Sequence, residues 1–435
     1  MGSELRAGVA KISITPPVGI PMAGYAERNR PSEGILDPLH AYAITVEQGD
    51  TACGLVVGDL IGFPREVTAE IRERVEHLCG LPPDNVFACA THTHWGPEIR
   101  SAHVPDRLVE TMSSEYPAML GQLAASALAE AWRRREPAVA LCGTGEADLL
   151  SFNRRPVGPD GKAVMSWRLP LDQAILASRK GTKLASTWVH GGGPGQRLSE
   201  PLDGLGGLRA GVIDPAVPVL KLVRPDGSPL AALFSFACHA VCGAGPEAFY
   251  LYSFDYPGHA RRLLETVLGC PAIFMAGCCG DQVPLRRDQD ARRRVGQSLG
   301  AEVIRAWELT EGEGIGPLRV SRCMVSLPGS GGSASGDCAG QRDREVELWS
   351  LALGDAWGLV GLPGEVLVEI GLQIKQGSPF GTTAVVELGL DDPGYVPTDA
   401  AIEEGGYEPS SSPFGRGTEA ALVDGGRAAL RDVAQ

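Results

Sequence analysis

The sequence contains no long apolar run and no block of basic residues, and both absences exclude classes of function. No stretch approaches the roughly 18–20 consecutive apolar residues that a membrane-spanning helix requires. Asp and Glu outnumber Lys and Arg by 53 to 39, a formal charge of −14, so nucleic acids and anionic membranes are not expected as main partners. The first residues also lack the charged and apolar regions of a signal peptide. We therefore expect a cytoplasmic protein without a membrane span.

The cysteines do not have the pattern of a disulfide framework. There are eleven of them, an odd number, in a chain of 435 residues that is too long to be a disulfide scaffold. Cys53, Cys89, Cys238 and Cys323 lie in apolar, strand-like segments and are predicted to be buried reduced thiols. The scarcity of lysine among the basic residues, together with 57 glycines, indicates a GC-rich bacterial genome.

The apolar pattern changes repeatedly between the strand period and the helix period. β-Branched runs at residues 41–48 and 54–61 flank the Gly49–Asp50 turn, and residues 217–223 and 230–238 predict a second hairpin. Helical periodicity is found at residues 64–78, 114–135, 256–268 and 288–309, and a helix is expected after Glu365, with this carboxylate at its start. This mixture predicts an α/β fold with mixed β-sheets and flanking helices.

No clean domain boundary interrupts the chain, so residues 1–435 are expected to form a single catalytic domain. Residues 153–212 contain several glycines and prolines and predict a long, lid-like excursion over the core. Residues 329–336 predict a flexible Gly/Ser loop.

The clearest local signal is the pair of histidines in Thr91–Pro97. His92 and His94 leave a predicted strand two residues apart, so their side chains are expected to point to the same side. Closely spaced neutral imidazoles suit Zn²⁺, although two surface or capping histidines give the same pattern.

Three other patterns have both a functional and a structural interpretation. His239 closes the apolar strand at residues 233–238, a position that by itself favours a core histidine. Glu365 follows a strand and a tight turn, where a carboxylate in the first turn of a helix interacts well with the helix dipole. Tyr395 and Tyr407 lie in Gly/Pro-rich loops, where aromatic residues often serve as packing anchors.

Taken together, these segments resemble the neutral/alkaline ceramidase family. The resemblance begins with residues 8–14, Pro16 and Met22-Ala23-Gly24-Tyr25, and its order and rough spacing are kept over about residues 6–415. It continues through Gly58-Asp59-Leu60, Thr91–Pro97, Phe152-Asn153-Arg154, Phe236–Ala240, Ala276–Pro284, Leu362–Glu365 and Tyr395–Tyr407. Members of this family are zinc-dependent amidases that cut an N-acyl amide.

The resemblance implies a site for the metal and for catalysis. The positions matching the zinc ligands of the family are His92, His239, Glu365 and Tyr395. The implied catalytic residues are His94 as proton donor to the leaving amine, Arg154 and Tyr407 beside the metal, and Asp281. Zn²⁺ would activate a water molecule for attack on the amide carbonyl, and Arg154 or a tyrosine would stabilise the oxyanion.

The chain departs from the family in two places. Gly277-Cys278-Cys279-Gly280-Asp281 replaces a stretch that carries serine near the metal, which favours metal-activated water over a serine nucleophile. Cys278 and Cys279 are interpreted as packing behind the site, with a thiol nucleophile or an extra ligand as alternatives. The chain also ends soon after the tyrosine segment, so a C-terminal immunoglobulin-like domain is not expected.

Three hypotheses follow for the activity. The first is a zinc amidohydrolase acting on a small, soluble linear amide other than ceramide, with specialised metabolism as the expected source. The second is a metal-dependent ester or lactone hydrolase, or an amide-forming or cyclising enzyme, on the same scaffold. The third is a binding protein with a structural metal, which the extra polar residues His94 and Arg154 disfavour.

Overall fold

The computed structural model describes residues 3–100, 103–164, 207–287, 290–331 and 341–435. Most of the predicted lid-like excursion at 153–212 lies outside these residues, as do the last five residues of the predicted Gly/Ser loop at 329–336. The described ends of the excursion are joined, because Val157 and Arg209 exchange backbone hydrogen bonds of 2.9 Å. Among the described residues, no helix combines the length and the apolarity needed to cross a bilayer.

Strands and helices are distributed over the whole chain. The strands are β1 (Leu5–Ser13), β2 (Gly34–Ile35), β3 (His40–Gln48), β4 (Thr51–Gly58), β5 (Val86–Ala90), β6 (Glu136–Pro137), β7 (Val139–Glu146), β8 (Ser151–Asn153), β9 (Ala216–Val223), β10 (Pro229–Phe236), β11 (Leu251–Tyr252), β12 (Ala272–Ala276), β13 (Gln282–Pro284), β14 (Leu318–Leu327), β15 (Arg344–Leu353), β16 (Trp357–Gly361), β17 (Glu365–Val366), β18 (Thr382–Val386) and β19 (Tyr395–Val396). The α-helices are α1 (Arg65–Cys79), α2 (Tyr116–Arg133), α3 (Asp255–Leu268), α4 (Ala291–Leu309), α5 (Val368–Gln376), α6 (Asp399–Glu404), α7 (Tyr407–Ser410) and α8 (Thr418–Asp432).

The larger sheets are mixed, as predicted. Their strand orders are β5-β4-β3-β1-β6, β12-β10-β9-β7 and β14-β15-β16-β18. Both predicted hairpins are present, since β3 pairs with β4 and β9 pairs with β10 in antiparallel fashion. Each sheet also contains one parallel pair: β4 with β5, β10 with β12, and β16 with β18. The predicted α/β class with mixed sheets and flanking helices is confirmed.

The three sheets share a central apolar core, and each covers its outer face with helices. On β3, Tyr42, Ile44 and Val46 belong to the central cluster, whereas Ala41 and Ala43 belong to the cluster that packs under α1 and α2. This alternation is the period of two expected for a strand that is buried on both faces. The second sheet packs in the same way against α3 and α4, and the third against α5 and α8.

The three parallel pairs end at one place in the molecule. Polar side chains at the carboxyl ends of parallel strands commonly form the binding site of an α/β fold. The edges are joined by bridges between Thr93 and Ala240 and between Gly277 and Val386. The polar residues that follow these strands are Asp59 after β4, His92 after β5, His239 after β10, Asp281 after β12, Glu365 after β16 and Glu387 after β18.

The predicted helix after Glu365 is present as α5, but Glu365 does not lie in its first turn. Glu365 lies in β17, where its amide donates to the carbonyl oxygen of Gly394 at 3.0 Å, and α5 begins three residues later. The backbone of β17 takes its hydrogen bonds from the neighbouring strand, so it is not available for a helical turn. The turn before it needs glycine, because Gly364 has φ +73° and a Cβ there would lie 2.4 Å from the oxygen of Gly394.

Two smaller predictions also need correction. Pro64 precedes α1 as an extended N-terminal flanking residue and is not its first helical residue, while Gly80 ends the helix as expected. Cys53, Cys89 and Cys238 are buried, but Cys323 on β14 is only half-buried. Strand β14 is at the edge of its sheet, so one face of it is left partly exposed. The cysteines among the described residues are free thiols.

Candidate metal centre

Two loops bring three histidines together. His92 and His94 follow β5, and His239 follows β10. The loops run side by side: Thr93 bridges Ala240, whose carbonyl oxygen also accepts from the amide of His94 at 3.3 Å. The ring of His92 has its centroid 4.5 Å from that of His239 and 4.9 Å from that of His94. The carboxyl ends of two separate sheets therefore meet in a cluster of imidazoles.

His92 reaches the cluster through an unusual backbone conformation. The sequence predicts alternation along a strand, but β5 has ended and His92 has φ +62°, in the left-handed region. A residue with a Cβ adopts this region at a cost of about 1–3 kcal/mol, and such residues are concentrated at functional sites. The turn, rather than strand alternation, gives the His92 ring its direction.

The same hydrogen-bonding pattern orients all three imidazoles. Each Nδ1 faces a backbone carbonyl oxygen, so Nδ1 carries the proton and Nε2 keeps its lone pair in the neutral ring. The acceptors are Ile61 for His92 at 2.9 Å, Gly24 for His94 at 3.0 Å, and Cys279 for His239 at 2.5 Å. Outer hydrogen bonds of this kind fix the tautomer of metal-binding histidines.

The Nε2 atoms cluster with a carboxylate. Each of the three imidazoles offers a ring nitrogen within 4.8 Å of the other two. His92 Nε2 is 3.4 Å from His94 Nε2. Oε2 of Glu365 lies 3.4 Å from His92 Nε2 and 3.3 Å from His239 Nε2. Two overlapping sets of donors are thus close enough to share an ion, one completed by His94 and the other by Glu365.

Two of the clustered atoms are buried hydrogen-bond acceptors. His239 Nε2 and Glu365 Oε2 are buried, and neither has a hydrogen-bond partner among the described residues. An unpaired buried acceptor costs free energy, and a cation between the acceptors removes that cost. Tetrahedral ligands about 2.0–2.1 Å from zinc lie about 3.3–3.4 Å apart, which matches the separations above. The residues therefore fit a small divalent cation such as Zn²⁺.

Burial and mutual charge set the protonation of the cluster. Burial lowers the pKa of His239 to about 4 and that of His94 well below its usual range. For His92, burial lowers the pKa, but attraction to Glu365 outweighs it and the net pKa is raised. Burial raises the pKa of Glu365, but His92 and His239 outweigh it and hold the pKa well below its usual range. Two neutral imidazoles and a carboxylate are the forms that bind a metal.

Tyr395 lies next to Glu365 on a neighbouring strand. β17 and β19 run parallel with Glu365 opposite Tyr395, so the two side chains emerge side by side. The Tyr395 hydroxyl accepts from Nη2 of Arg154 at 3.0 Å. Burial, reinforced by Glu365, raises the pKa of Tyr395 well above its usual range. A phenolate at this position therefore needs a nearby cation to offset its burial.

Arg154 follows β8 and connects three parts of the site. Its guanidinium donates to Tyr395, to the carbonyl oxygen of Gly280 at 2.9 Å and to Glu408 at 2.7 Å. Arg155 donates to the other carboxylate oxygen of Glu408, also at 2.7 Å. The two guanidiniums hold Glu408 from both sides, which leaves Arg154 in a fixed orientation beside Tyr395.

The remaining predicted catalytic residues lie at different depths. The Tyr407 ring is 5.5 Å from that of Tyr395 and is 40% exposed, so it lies at the outer edge of the site. Asp281 is buried, and its carboxylate accepts from Asn153 Nδ2 at 2.8 Å and from the amide of Val368 at 2.9 Å. These bonds place Asp281 behind Arg154, at the start of α5, rather than against the imidazoles.

Both cysteines of the Gly277–Asp281 stretch face the protein interior. Cys278 belongs to the apolar cluster of the third sheet, and its Sγ lies against Gly371. The Cys279 thiol lies 2.9 Å from Oε1 of Glu387. Burial raises the pKa of both thiols well above the usual range. These contacts agree with the packing interpretation.

Several residues near the centre were not singled out from the sequence. The Arg28 guanidinium is buried among aromatic rings and donates to the carbonyl oxygen of His94 at 2.7 Å. Arg100 holds Glu98 with two hydrogen bonds and Asp392 with a third at 2.5 Å, so it joins the histidine loop to the loop before Tyr395. No local motif marks the contact of Arg28 with His94 or of Arg100 with Asp392, because these partners are distant in the sequence.

Glu387 is the missed residue with a recognisable signal. It follows the apolar strand β18, just as His239 follows β10, and it is fully buried. Burial raises its pKa to about 8. A polar residue that closes a buried strand was the pattern that identified His239, and the same rule would have found Glu387.

Comparisons with protein-family models and with curated proteins gave no match. Among solved structures, the chain is similar to a neutral ceramidase from Pseudomonas aeruginosa, with a TM-score of 0.75 and 18% sequence identity over 100% of this chain and 75% of that one. A ceramidase complexed with C2 gives a TM-score of 0.73 and 17% identity over 99% of this chain and 75% of that one. At this identity the likeness concerns the fold, and the chain has a neutral-ceramidase-like fold, as the sequence resemblance predicted.

Proposed function

We propose that the chain is a zinc-dependent amidohydrolase that cleaves a linear N-acyl amide by means of metal-activated water. The observation that carries the proposal is the convergence of His92, His239 and Glu365, whose facing atoms lie 3.3–3.4 Å apart. Two of these atoms are buried without a hydrogen-bond partner among the described residues. A structural role alone would not require His94 and Arg154 beside them.

In this proposal His92, His239, Glu365 and Tyr395 hold the ion, and His94 remains free for substrate. Oε2 of Glu365 lies within 3.4 Å of both His92 and His239, whereas His94 is nearest to His92 and its ring centroid is 5.5 Å from that of His239. His94 is also the more exposed imidazole, at 9% against 0% for the other two. Its ring makes an edge-on contact with the half-buried ring of Tyr25, with 5.3 Å between centroids, so His94 lies on the more exposed side of the cluster.

The chemistry divides between the ion and the surrounding side chains. A zinc ion supplies Lewis acidity, which acidifies water and polarises a carbonyl oxygen. Arg154 presents a fixed cation, and Tyr407 a hydroxyl, where negative charge develops on the amide oxygen. His94 has Nδ1 bonded to Gly24, so Nε2 is the atom that accepts a proton and returns it to the leaving amine.

In this proposal Asp281 positions a neighbouring residue of the site. Its carboxylate binds Asn153, the residue before Arg154, and the amide at the start of α5. We assign it the role of holding Arg154 in place. We further propose that residues 1–435 act as one catalytic unit, which is supported by the core shared among the three sheets.

For the substrate, we propose a small, water-soluble amide rather than ceramide, following the interpretation of the sequence. The test is hydrolysis of a panel that pairs N-acyl amides of increasing chain length, ceramide included, with the matching esters. Metal content is measured on the same protein, before and after chelation and after addition of zinc. Amide cleavage that is lost with chelator and restored by zinc supports the proposal, while ester-only turnover supports the alternative ester hydrolase. Bound zinc without turnover would leave a binding protein.

A further inference from the structure

Glu387 is a buried carboxylate between the segments that carry two of the proposed ligands. It follows β18, and its amide donates to the carbonyl oxygen of Ala276, the last residue of β12, at 3.0 Å. The side chain is 0% exposed. Glu387 therefore occupies the junction between the second and third sheets, directly behind the imidazole cluster.

Three donors converge on this carboxylate. Oε2 accepts from the amide of Val366 at 2.8 Å and from the amide of Cys279 at 3.0 Å. Oε1 lies 2.9 Å from the Cys279 thiol. One oxygen thus connects two backbone segments that belong to different sheets. Two backbone amides that share one buried acceptor oxygen are held at a fixed separation, because leaving either amide unpaired in the interior would cost free energy.

Each of these segments positions a proposed ligand. The carbonyl oxygen of Cys279 accepts from His239 Nδ1 at 2.5 Å and so orients the ring that presents Nε2. Val366 directly follows Glu365 in β17. The amide of Gly280 donates to the carbonyl oxygen of Val366 at 2.9 Å, which adds a second link between the same segments. The 3.3 Å separation between Glu365 Oε2 and His239 Nε2 thus depends on how these two segments are held together.

We propose that Glu387 is a positioning residue for the metal centre: its Oε2 atom sets the separation of His239 and Glu365 through Cys279 and Val366. This inference rests on the metal site of the proposed function. Outer-shell partners of metal ligands typically contribute about 10–100-fold to metal affinity. A charge-only role is the competing explanation, and the two explanations differ in which conservative substitution preserves binding.

The test compares Glu387→Gln with Glu387→Asp. Glutamine removes the charge but keeps a carbonyl oxygen where Oε2 lies, so both backbone hydrogen bonds can persist. Aspartate keeps the charge but withdraws the acceptor by about 1.5 Å, the length of one carbon–carbon bond. Zinc affinity is measured by competition with a chromophoric chelator, and the visible spectrum of the Co²⁺ form reports the geometry of the ligands. Neither measurement requires amide turnover.

We expect Glu387→Gln to stay within about threefold of the wild-type zinc affinity and Glu387→Asp to lose about 10–100-fold with an altered cobalt spectrum. Glu302→Asp is the matched control, because Glu302 on α4 also accepts a backbone amide, that of Glu146 at 2.8 Å, far from the ligands in the fold. The zinc affinity of Glu302→Asp should equal that of the wild type.

The opposite order, with Glu387→Asp tight and Glu387→Gln weak, would overturn the positioning role in favour of charge. Equal wild-type affinity in both variants would overturn it as well. If the wild-type protein binds neither zinc nor cobalt, the metal site of the proposed function itself fails. That result is distinguishable, because it appears before any substitution is made.

Discussion

The two walls of the candidate site are fastened by different chemistry. On the histidine wall, each imidazole is oriented by a neutral backbone carbonyl, which directs its Nε2 atom into the cluster. On the arginine wall, Arg154 and Arg155 are oriented by a carboxylate, that of Glu408, with distances of 2.7 Å to each. Both walls are buried, but the charges of the arginine wall are paired within the protein.

The two walls differ in whether their buried polar atoms are paired within the protein. The histidine wall leaves buried acceptor atoms facing each other, which a cation of the proposed function would satisfy. On the arginine wall each guanidinium already faces a carboxylate oxygen of Glu408, and in the proposed function Arg154 supplies a preorganised donor for developing negative charge. Substitutions of the proposed ligands His92 and His239 on the first wall should therefore change metal content, whereas substitution of Arg154 on the second should change the rate with metal retained.

The largest effect is expected from removing a ligand. His92→Ala and His239→Ala should each lose both bound metal and activity. Removing a metal ligand should lower the zinc affinity by more than the roughly 10–100-fold that follows removal of an outer-shell partner. Metal analysis of the purified variants and hydrolysis of the best amide substrate provide the measurement. If either variant retained full zinc, the assignment of that histidine as a ligand would be wrong.

His94→Ala tests whether His94 acts on the substrate or binds the metal. As proton donor to the leaving amine, His94 should contribute about 10²–10⁴-fold to the rate while metal content stays close to that of the wild type. Turnover and zinc are measured on the same sample. Loss of zinc together with rate would place His94 in the ligand set formed by the three imidazoles, and full activity would exclude the proton-donor role.

Arg154→Lys and Arg155→Lys form a matched pair on the arginine wall. Both keep a cation beside Glu408, but only Arg154 donates to Tyr395. A lysine lacks the planar fork that reaches both partners, so Arg154→Lys should lower the rate by about 10–10³-fold with zinc retained. Arg155→Lys should remain near wild-type activity. Equal losses in both would show that the effect comes from the Glu408 pairing itself.

The smallest effect is expected from the adjacent free cysteines Cys278 and Cys279. Replacing Cys278 and Cys279 together by Ala keeps the backbone groups that contact Glu387 and His239, so zinc and appreciable activity should remain. Loss of buried packing should lower the free energy of unfolding by about 1–3 kcal/mol, measurable by denaturant titration. Complete loss of activity with zinc retained would support the thiol nucleophile instead.

The sequence was most informative where local pattern and local structure coincide. The turn at Gly49–Asp50 and the turn before β10 predicted their hairpins, because turn residues and β-branched runs act over a few positions. The helix after Glu365 was found, but the placement of Glu365 at its start failed for the opposite reason. Its backbone pairs with Tyr395–Val396, about thirty residues away, and no local pattern announces that partner.

The candidate site shows the same division at the level of single residues. His92 and His94 could be singled out from their spacing, but the left-handed turn at His92 could not. Tyr395 entered by resemblance alone, while Glu387 and Arg28 were passed over although both contact the segments that form the centre. Their partners are far away in the chain, and the sequence pattern carries no measure of such distances.

The sequence by itself determined the α/β class, the hairpins and the chemical types of the residues that close the buried strands, because these follow from side-chain periodicity and residue chemistry. Only the tertiary structure decided that three sheets end at one place and that His239 and Glu365 face each other at 3.3 Å. The physical reason is that this meeting depends on the packing of a core shared by all three sheets, a property of long-range contacts rather than of any local segment.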